Sequence, residues 1–143
     1  MINHCEKPMT LGGIKGCVHR CRELEMLSFV CADTTEEAMA VAQFHPGIMN
    51  PEPSELIGSG QSADMTYVTR TVNAVKAIDP GILTEIAAGI TKPQDVYDYI
   101  MAGSDAAGAA WNGNVSTAAS QILVCCGMNS LRGQHPAIGP LAV

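Results

Sequence analysis

Leu27-Ser28-Phe29-Val30-Cys31-Ala32 is a short apolar run, and Asp33-Thr34-Thr35-Glu36-Glu37 directly after it reads as a helix cap. Ile48-Met49 is apolar again, and Asn50-Pro51-Glu52-Pro53-Ser54-Glu55-Leu56-Ile57-Gly58-Ser59-Gly60 follows it. The first run fits a buried strand, the cap predicts a helix through about Phe44, and Ile48-Met49 predicts a second strand. Two buried strands separated by one amphipathic helix and short connections predict a parallel sheet, because parallel neighbours need a crossover of this kind.

The same alternation extends in both directions. Residues 10–26 carry Leu11, Ile14, Cys17, Val18, Cys21 and Leu24 at helical spacing, with Thr10 as N-cap, and Met1-Ile2-Asn3 reads as the stub of a strand before them. Towards the other end, 51–62 is a Pro/Gly/Ser loop and 65–78 predicts a helix through Val68, Val72, Val75 and Ile78. Pro80-Gly81 breaks that helix, and Ile82–Ala88 predicts a strand. Thr91-Lys92-Pro93 opens a helix over 94–102, Pro93 suiting the first turn. Ala106–Ala110 is an alanine-rich strand candidate, and a last helix is predicted from about Ser116 to Cys125. Periodicity leaves a doubly wound sheet and part of a barrel both open; the loops distinguish them.

Composition sets the class. The 143 residues are 47% hydrophobic and 15% charged, which excludes a disordered, solvated chain. No apolar run reaches the roughly 18 residues of a spanning helix. Eight Lys+Arg against 14 Asp+Glu, a net charge of −6, argue against a nucleic-acid partner, since a polyanion is repelled unless a basic patch attracts it. Ile2-Asn3-His4-Cys5-Glu6 after Met1 lacks a basic n-region and apolar core, so the expectation is a cytoplasmic protein with no membrane association. Cys5, Cys17, Cys21, Cys31, Cys125 and Cys126 match neither paired zinc-ligand spacing nor a disulfide framework, and are expected to be reduced thiols acting as small buried hydrophobes. His19 joins no metal site with Cys17 and Cys21, because it points about 200° away from position 17 on a helix.

In parallel α/β folds the carboxyl ends of the strands carry the chemistry. Those ends hold Asn3-His4-Cys5-Glu6, the Glu52 loop, Ala87-Ala88-Gly89-Ile90-Thr91 and Trp111-Asn112-Gly113-Asn114-Val115. Singly, a histidine near a terminus is a solvated side chain and a glutamate between prolines a turn residue. Together they bring a carboxylate, an imidazole and three glycine-containing loops to one end of a sheet, where bare backbone N–H groups favour a phosphate.

Asn3-His4-Cys5-Glu6, Glu52-Pro53 with Ile57-Gly58-Ser59-Gly60, and Ala88-Gly89-Ile90-Thr91 resemble, in the same order, the motifs of the triosephosphate isomerase family. Glu52-Pro53-Ser54-Glu55-Leu56-Ile57-Gly58 and Val30-Cys31-Ala32-Asp33 are similar to its archaeal branch. The resemblance covers residues 2 to about 118. It implies the C-terminal part of a (β/α)8 TIM barrel, from a strand-4 stub to strand 8, over residues 1–120, with 121–143 an irregular tail. It further implies Glu52 as the general base, His4 as the electrophile and Glu6 as the acidic residue supporting it. Pro53 to Ser59 would be a mobile lid, and Gly58, Gly89, Ile90, Gly113 and Asn114 would supply the substrate phosphate with N–H donors.

No residue matches the Lys of the family's Asn-x-Lys motif, and Trp111 is bulky where the family keeps small side chains. The implied reaction interconverts dihydroxyacetone phosphate and glyceraldehyde 3-phosphate, as in glycolysis and gluconeogenesis, with no cofactor. The implied partners are the triose phosphate and either a second copy or a chain supplying the missing barrel units. The alternative is a catalytically inert phosphate-binding α/β module acting in assembly or binding.

Overall fold

The computed structural model describes residues 1–87 and 89–108. In chain order these form α1 (Leu11–Glu23), β1 (Phe29–Ala32), α2 (Thr35–Ala42), β2 (Ile48–Pro51), a single 3-10 turn (Ser54–Leu56), α3 (Met65–Ile78), β3 (Leu83–Ile86), α4 (Pro93–Met101) and β4 (Ala106–Ala107). The helix starts are set by side chains that accept the otherwise unpaired N–H groups of the first turn. Thr10 accepts from Gly13 N–H, Thr34 from Glu37 N–H and Asp64 from Thr66 N–H. At α4 the Asp95 carboxylate accepts from the N–H groups of Thr91 and Lys92.

The four strands are parallel and lie in the order β1-β2-β3-β4. Monotonic order with right-handed crossovers places every helix on one face. The helices accordingly pack side by side, α1 on α2, α2 on α3 and α3 on α4. A doubly wound sheet requires the strand order to reverse; no reversal occurs among the described residues. The architecture is a singly wound sector of a parallel sheet.

Alternation along the strands sorts the side chains. Val30, Ala32 and Met49 face the helices and form one buried cluster with Ile14, Val18 and Val41. Ile86 and Ala107 form a second with Val68, Val72 and Tyr99. The opposite, inner face carries Phe29, Ile48 and Leu83, which the register sets in one row. The next row contains Cys31 paired with Asn50, and one further step of the register sets Glu85 beside Asn50.

Several expected boundaries contract. The Leu27–Ala32 run is a strand only from Phe29, Ile82–Ala88 only from Leu83 to Ile86, and Ala106–Ala110 only at Ala106–Ala107 among the described residues. The Met1-Ile2-Asn3 stub is reduced to one parallel bridge. Ile2 N–H donates to Phe29 O at 2.8 Å, and Cys31 N–H donates to Ile2 O at 2.9 Å. Asn3 then turns into the left-handed region (φ 58°) and ends the pairing. Cysteine burial is also uneven. Cys31 is buried, Cys17 and Cys21 are half-buried against the core, and Cys5, in the loop after the bridge, is exposed. Cys125, Cys126, the helix expected at Ser116–Cys125 and the tail at 121–143 lie outside the described residues. No helix among the described residues is long and apolar enough to cross a membrane.

Candidate active site

The segment after Ile2 is held to β1 by Asn3, whose Nδ2 donates to Cys31 O at 3.0 Å and whose Oδ1 accepts from Met9 N–H at 2.8 Å. That clamp, with a turn in which Lys7 N–H donates to His4 O at 2.8 Å, sets His4 at the carboxyl end of the sheet. Glu52 follows β2, and its N–H extends the ladder by donating to Ala32 O at 2.8 Å. Two loops far apart in sequence therefore bring His4 Nε2 to 3.8 Å from Glu52 Oε2.

The Glu52 side chain is 11% exposed. Burial raises its carboxyl above the ordinary range, while His4 and the hydrogen bond from Asn50 pull it back. Asn50 Nδ2 donates to Glu52 Oε2 at 3.2 Å. On the imidazole, Nδ1 accepts from Glu6 N–H at 3.5 Å, and Nε2 is the nitrogen that faces Glu52. The Glu6 carboxylate is 87% exposed and lies 3.7 Å from Nδ1, on the side of the ring away from Glu52.

The glycine loops have the conformations only glycine adopts freely. Gly58 and Gly60 in the segment after Glu52 have φ of 72° and 74°, and Gly89 has φ of 66°. A Cβ on Gly89 would lie 1.7 Å from Gln61 O, so the Gly89 loop packs directly on the end of the Glu52 loop. Ile90 beside it is buried in the second core cluster. Gly113 and Asn114 lie outside the described residues, as do Ala88 and Trp111. The structure thus brings His4, Glu52 and Glu6 together, and separately joins the Gly89 loop to the loop carrying Gly58.

A cavity of about 530 Å³ opens on the α1–α2 side of Glu52, and Cys5, Asp33, Glu36, Glu37 and Ile57 are among the residues lining it. Its carboxylates repel an anion. Asp33 Oδ1 also accepts the Ser54 N–H, tying the first turn of the Glu52 loop to the end of β1.

Two polar residues of the inner face escaped the sequence reading of the site. Asn50 was recognised only as the end of a strand. Glu85 sits half-buried on β3, its carboxyl raised first by burial and then by Glu52. Both carry a legible signal: Asn50 is two residues before Glu52 at the end of β2, and Glu85 is the one charge in the Ile82–Ala88 run.

No family model matches the chain. Among characterised sequences it is 38% identical over 113 residues to the triosephosphate isomerase of Sulfurisphaera tokodaii, covering 77% of this chain and 49% of that protein. It is 36% identical over 108 residues to that of Methanothermus fervidus, covering 73% and 49%. The triosephosphate isomerase of Methanoculleus marisnigri is 40% identical over 93 residues, covering 63% and 42%. The chain is a partial homologue of the archaeal triosephosphate isomerases. It spans about half the length of the curated relatives it matches. The singly wound parallel sheet is accordingly a sector of a TIM barrel, with His4 and Glu52 at the end where such barrels carry their chemistry.

Proposed function

We infer that the chain carries the proton-transfer part of a triose-phosphate isomerase site. The observation that carries this reading is the buried Glu52 carboxylate facing His4 Nε2 at 3.8 Å, at the carboxyl end of a parallel sheet. A carboxylate base with a neutral imidazole electrophile is the established pairing of triosephosphate isomerases. Abstracting a proton α to a carbonyl needs a base within reach of the carbon acid and a donor at the oxygen where charge develops. Glu52 takes the proton from C1 of dihydroxyacetone phosphate. His4 Nε2–H gives its proton to the developing enediolate oxygen on C2 and recovers one from the C1 hydroxyl, and Glu52 returns the carbon-bound proton at C2 to give glyceraldehyde 3-phosphate. No redox or group transfer is involved, so the chemistry calls for no cofactor.

The substrate phosphate is assigned to N–H donors at Gly58, Gly89 and Ile90, with Gly113 and Asn114 completing the set. Repulsion from Asp33, Glu36 and Glu37 on the other side of Glu52 favours that orientation. Pro53 to Ser59 closes over the enediolate and keeps water from it. Glu6 supports the imidazole through its backbone N–H, which donates to Nδ1.

The 143 residues contain no match to the family's active-site Lys. The chain assayed alone is therefore expected to turn over slowly, and to gain activity from a second copy or a chain that supplies further barrel units. Triose-phosphate turnover and exchange of solvent deuterium into dihydroxyacetone phosphate test this directly. Glu52→Gln is expected to lower the exchange rate by about 10²- to 10⁴-fold, the usual contribution of a general base. Unchanged exchange in Glu52→Asp and Glu52→Gln would remove the reading. Tight binding of a triose phosphate analogue without any exchange would favour the inert binding module.

A further inference from the structure

We propose that Asn50 is the positioning residue for Glu52, fixing Oε2 so that Oε1 remains free for the substrate proton. Asn50 is 3% exposed and stands two residues before Glu52, whose N–H continues the β2 ladder onto Ala32 O, so both side chains leave the same face. Its Nδ2 donates to Glu52 Oε2 at 3.2 Å and approaches Cys31 Sγ at 3.6 Å. The amide is thereby held between β1 and the carboxylate. Its Oδ1 is buried with no hydrogen-bond partner among the described residues. An orphaned buried acceptor costs roughly as much as a lost hydrogen bond. The end of the amide that is bonded is therefore its donor end, on Glu52 Oε2.

The groups around Glu52 come from four segments. His4 faces it from the loop after the first bridge, and Asn50 lies below it on β2. Cys31 on β1 is neutral, its thiol pushed up to about 11 by burial. Glu85 on β3 is raised by burial and by Glu52 itself. Of these, Asn50 is the neutral donor bonded to the ionised carboxylate, and a donor to the charged form favours that form. Removing it therefore moves the Glu52 titration upward. The position also separates the two oxygens: Oε2 faces both Asn50 and His4, which leaves Oε1 as the basic atom.

This inference rests on Glu52 being the base, but its test does not require turnover. The Glu52 carboxyl is titrated by carbon-13 NMR in the 143-residue protein and in Asn50→Ala. The expected result is an upward shift of the Glu52 midpoint in the variant. In the parent, the Asn50 side-chain amide proton is expected to move with that same midpoint. Asn50→Leu, close in volume and without donor or acceptor, repeats the measurement if the alanine variant does not fold. A Glu52 midpoint that coincides with the parent's in a folded variant overturns the proposal. An upward shift together with Glu52→Gln leaving exchange unaltered would retain the positioning role and remove the isomerase reading. Where turnover is measurable, Asn50→Ala is expected to lower kcat more than it alters KM.

Discussion

Gly89→Ala and Gly60→Ala separate two costs that a glycine loop can hide. Both positions have positive φ, 66° and 74°. Holding an L-residue in the left-handed region costs about 1–2 kcal/mol. The reduced freedom of the unfolded chain returns about 0.4–1 kcal/mol. A Cβ on Gly60 meets nothing within 4 Å, so Gly60→Ala is expected to destabilise by about 1 kcal/mol. On Gly89 the new atom would lie 1.7 Å from Gln61 O and 2.4 Å from Gln61 C. Both are backbone atoms and cannot rotate away, so one loop must move. Forcing an extra carbon into a packed contact typically adds about 1–3 kcal/mol. Gly89→Ala is therefore expected to cost about 2–4 kcal/mol, a large part of an ordinary domain's 5–15 kcal/mol. Urea unfolding followed by circular dichroism measures the two variants side by side. If the midpoints of Gly60→Ala and Gly89→Ala fall by the same amount, the Gly89 loop does not press on Gln61 and the close packing of the two loops is wrong.

Glu85 makes stability depend on pH. Its folded carboxyl is raised above the ordinary value by burial and Glu52, so the folded state holds a proton that the unfolded chain has lost. Stability is then expected to fall as pH rises from the ordinary carboxyl value through the raised one. Glu85→Gln should flatten that decline and be more stable than the parent at pH 7; equal urea midpoints at pH 7 would contradict it. Lys76 Nζ lies 2.6 Å from Asp105 Oδ2 and also donates to Ile82 O, tying α3 to the segments around β3 and β4. Both side chains are about a fifth to a quarter exposed, so Lys76→Met is expected to cost about 1–3 kcal/mol, below the full penalty for a buried charge left alone. A Lys76→Met and Asp105→Asn double variant should recover part of that loss, measured by thermal unfolding.

The helices were legible because α1 to α3 each follow a residue whose side chain caps them, α4 opens on Pro93, and each repeats apolar positions at helical spacing. Residues 65–78 were predicted as a helix and Met65–Ile78 is one. Strand ends were less legible. Leu27 continues the apolar run of Phe29, yet the pairing starts only where Phe29 meets Ile48, a tertiary fact. The stub at Ile2 is shortened by a left-handed Asn3, which a run of three residues cannot announce. A motif names His4 and Glu52 on two separate loops, and the structure sets His4 Nε2 3.8 Å from Glu52 Oε2. Asn50 carried only a weak signal, since an asparagine at a strand end is ordinarily a turn former. Its value depends on the strand continuing to Pro51, which keeps Asn50 inside the ladder and aims it along the face of Glu52.

The inner face changes character along the strands, and that gradient links folding to chemistry. Phe29, Ile48 and Leu83 form an apolar row, whereas Cys31, Asn50 and Glu85 form the next row towards the carboxyl ends, with Glu52 beyond them. Any segment that covers this face buries the apolar row and is favoured by the hydrophobic effect. The same cover removes water from the polar row. Desolvation raises a carboxyl, so covering the face moves Glu52 further upward. The hydrogen bond from Asn50 opposes that movement and holds the carboxylate ionised. Burial and a fixed amide thus act on one carboxylate in opposite directions, and the balance between them sets how far Glu52 is ionised.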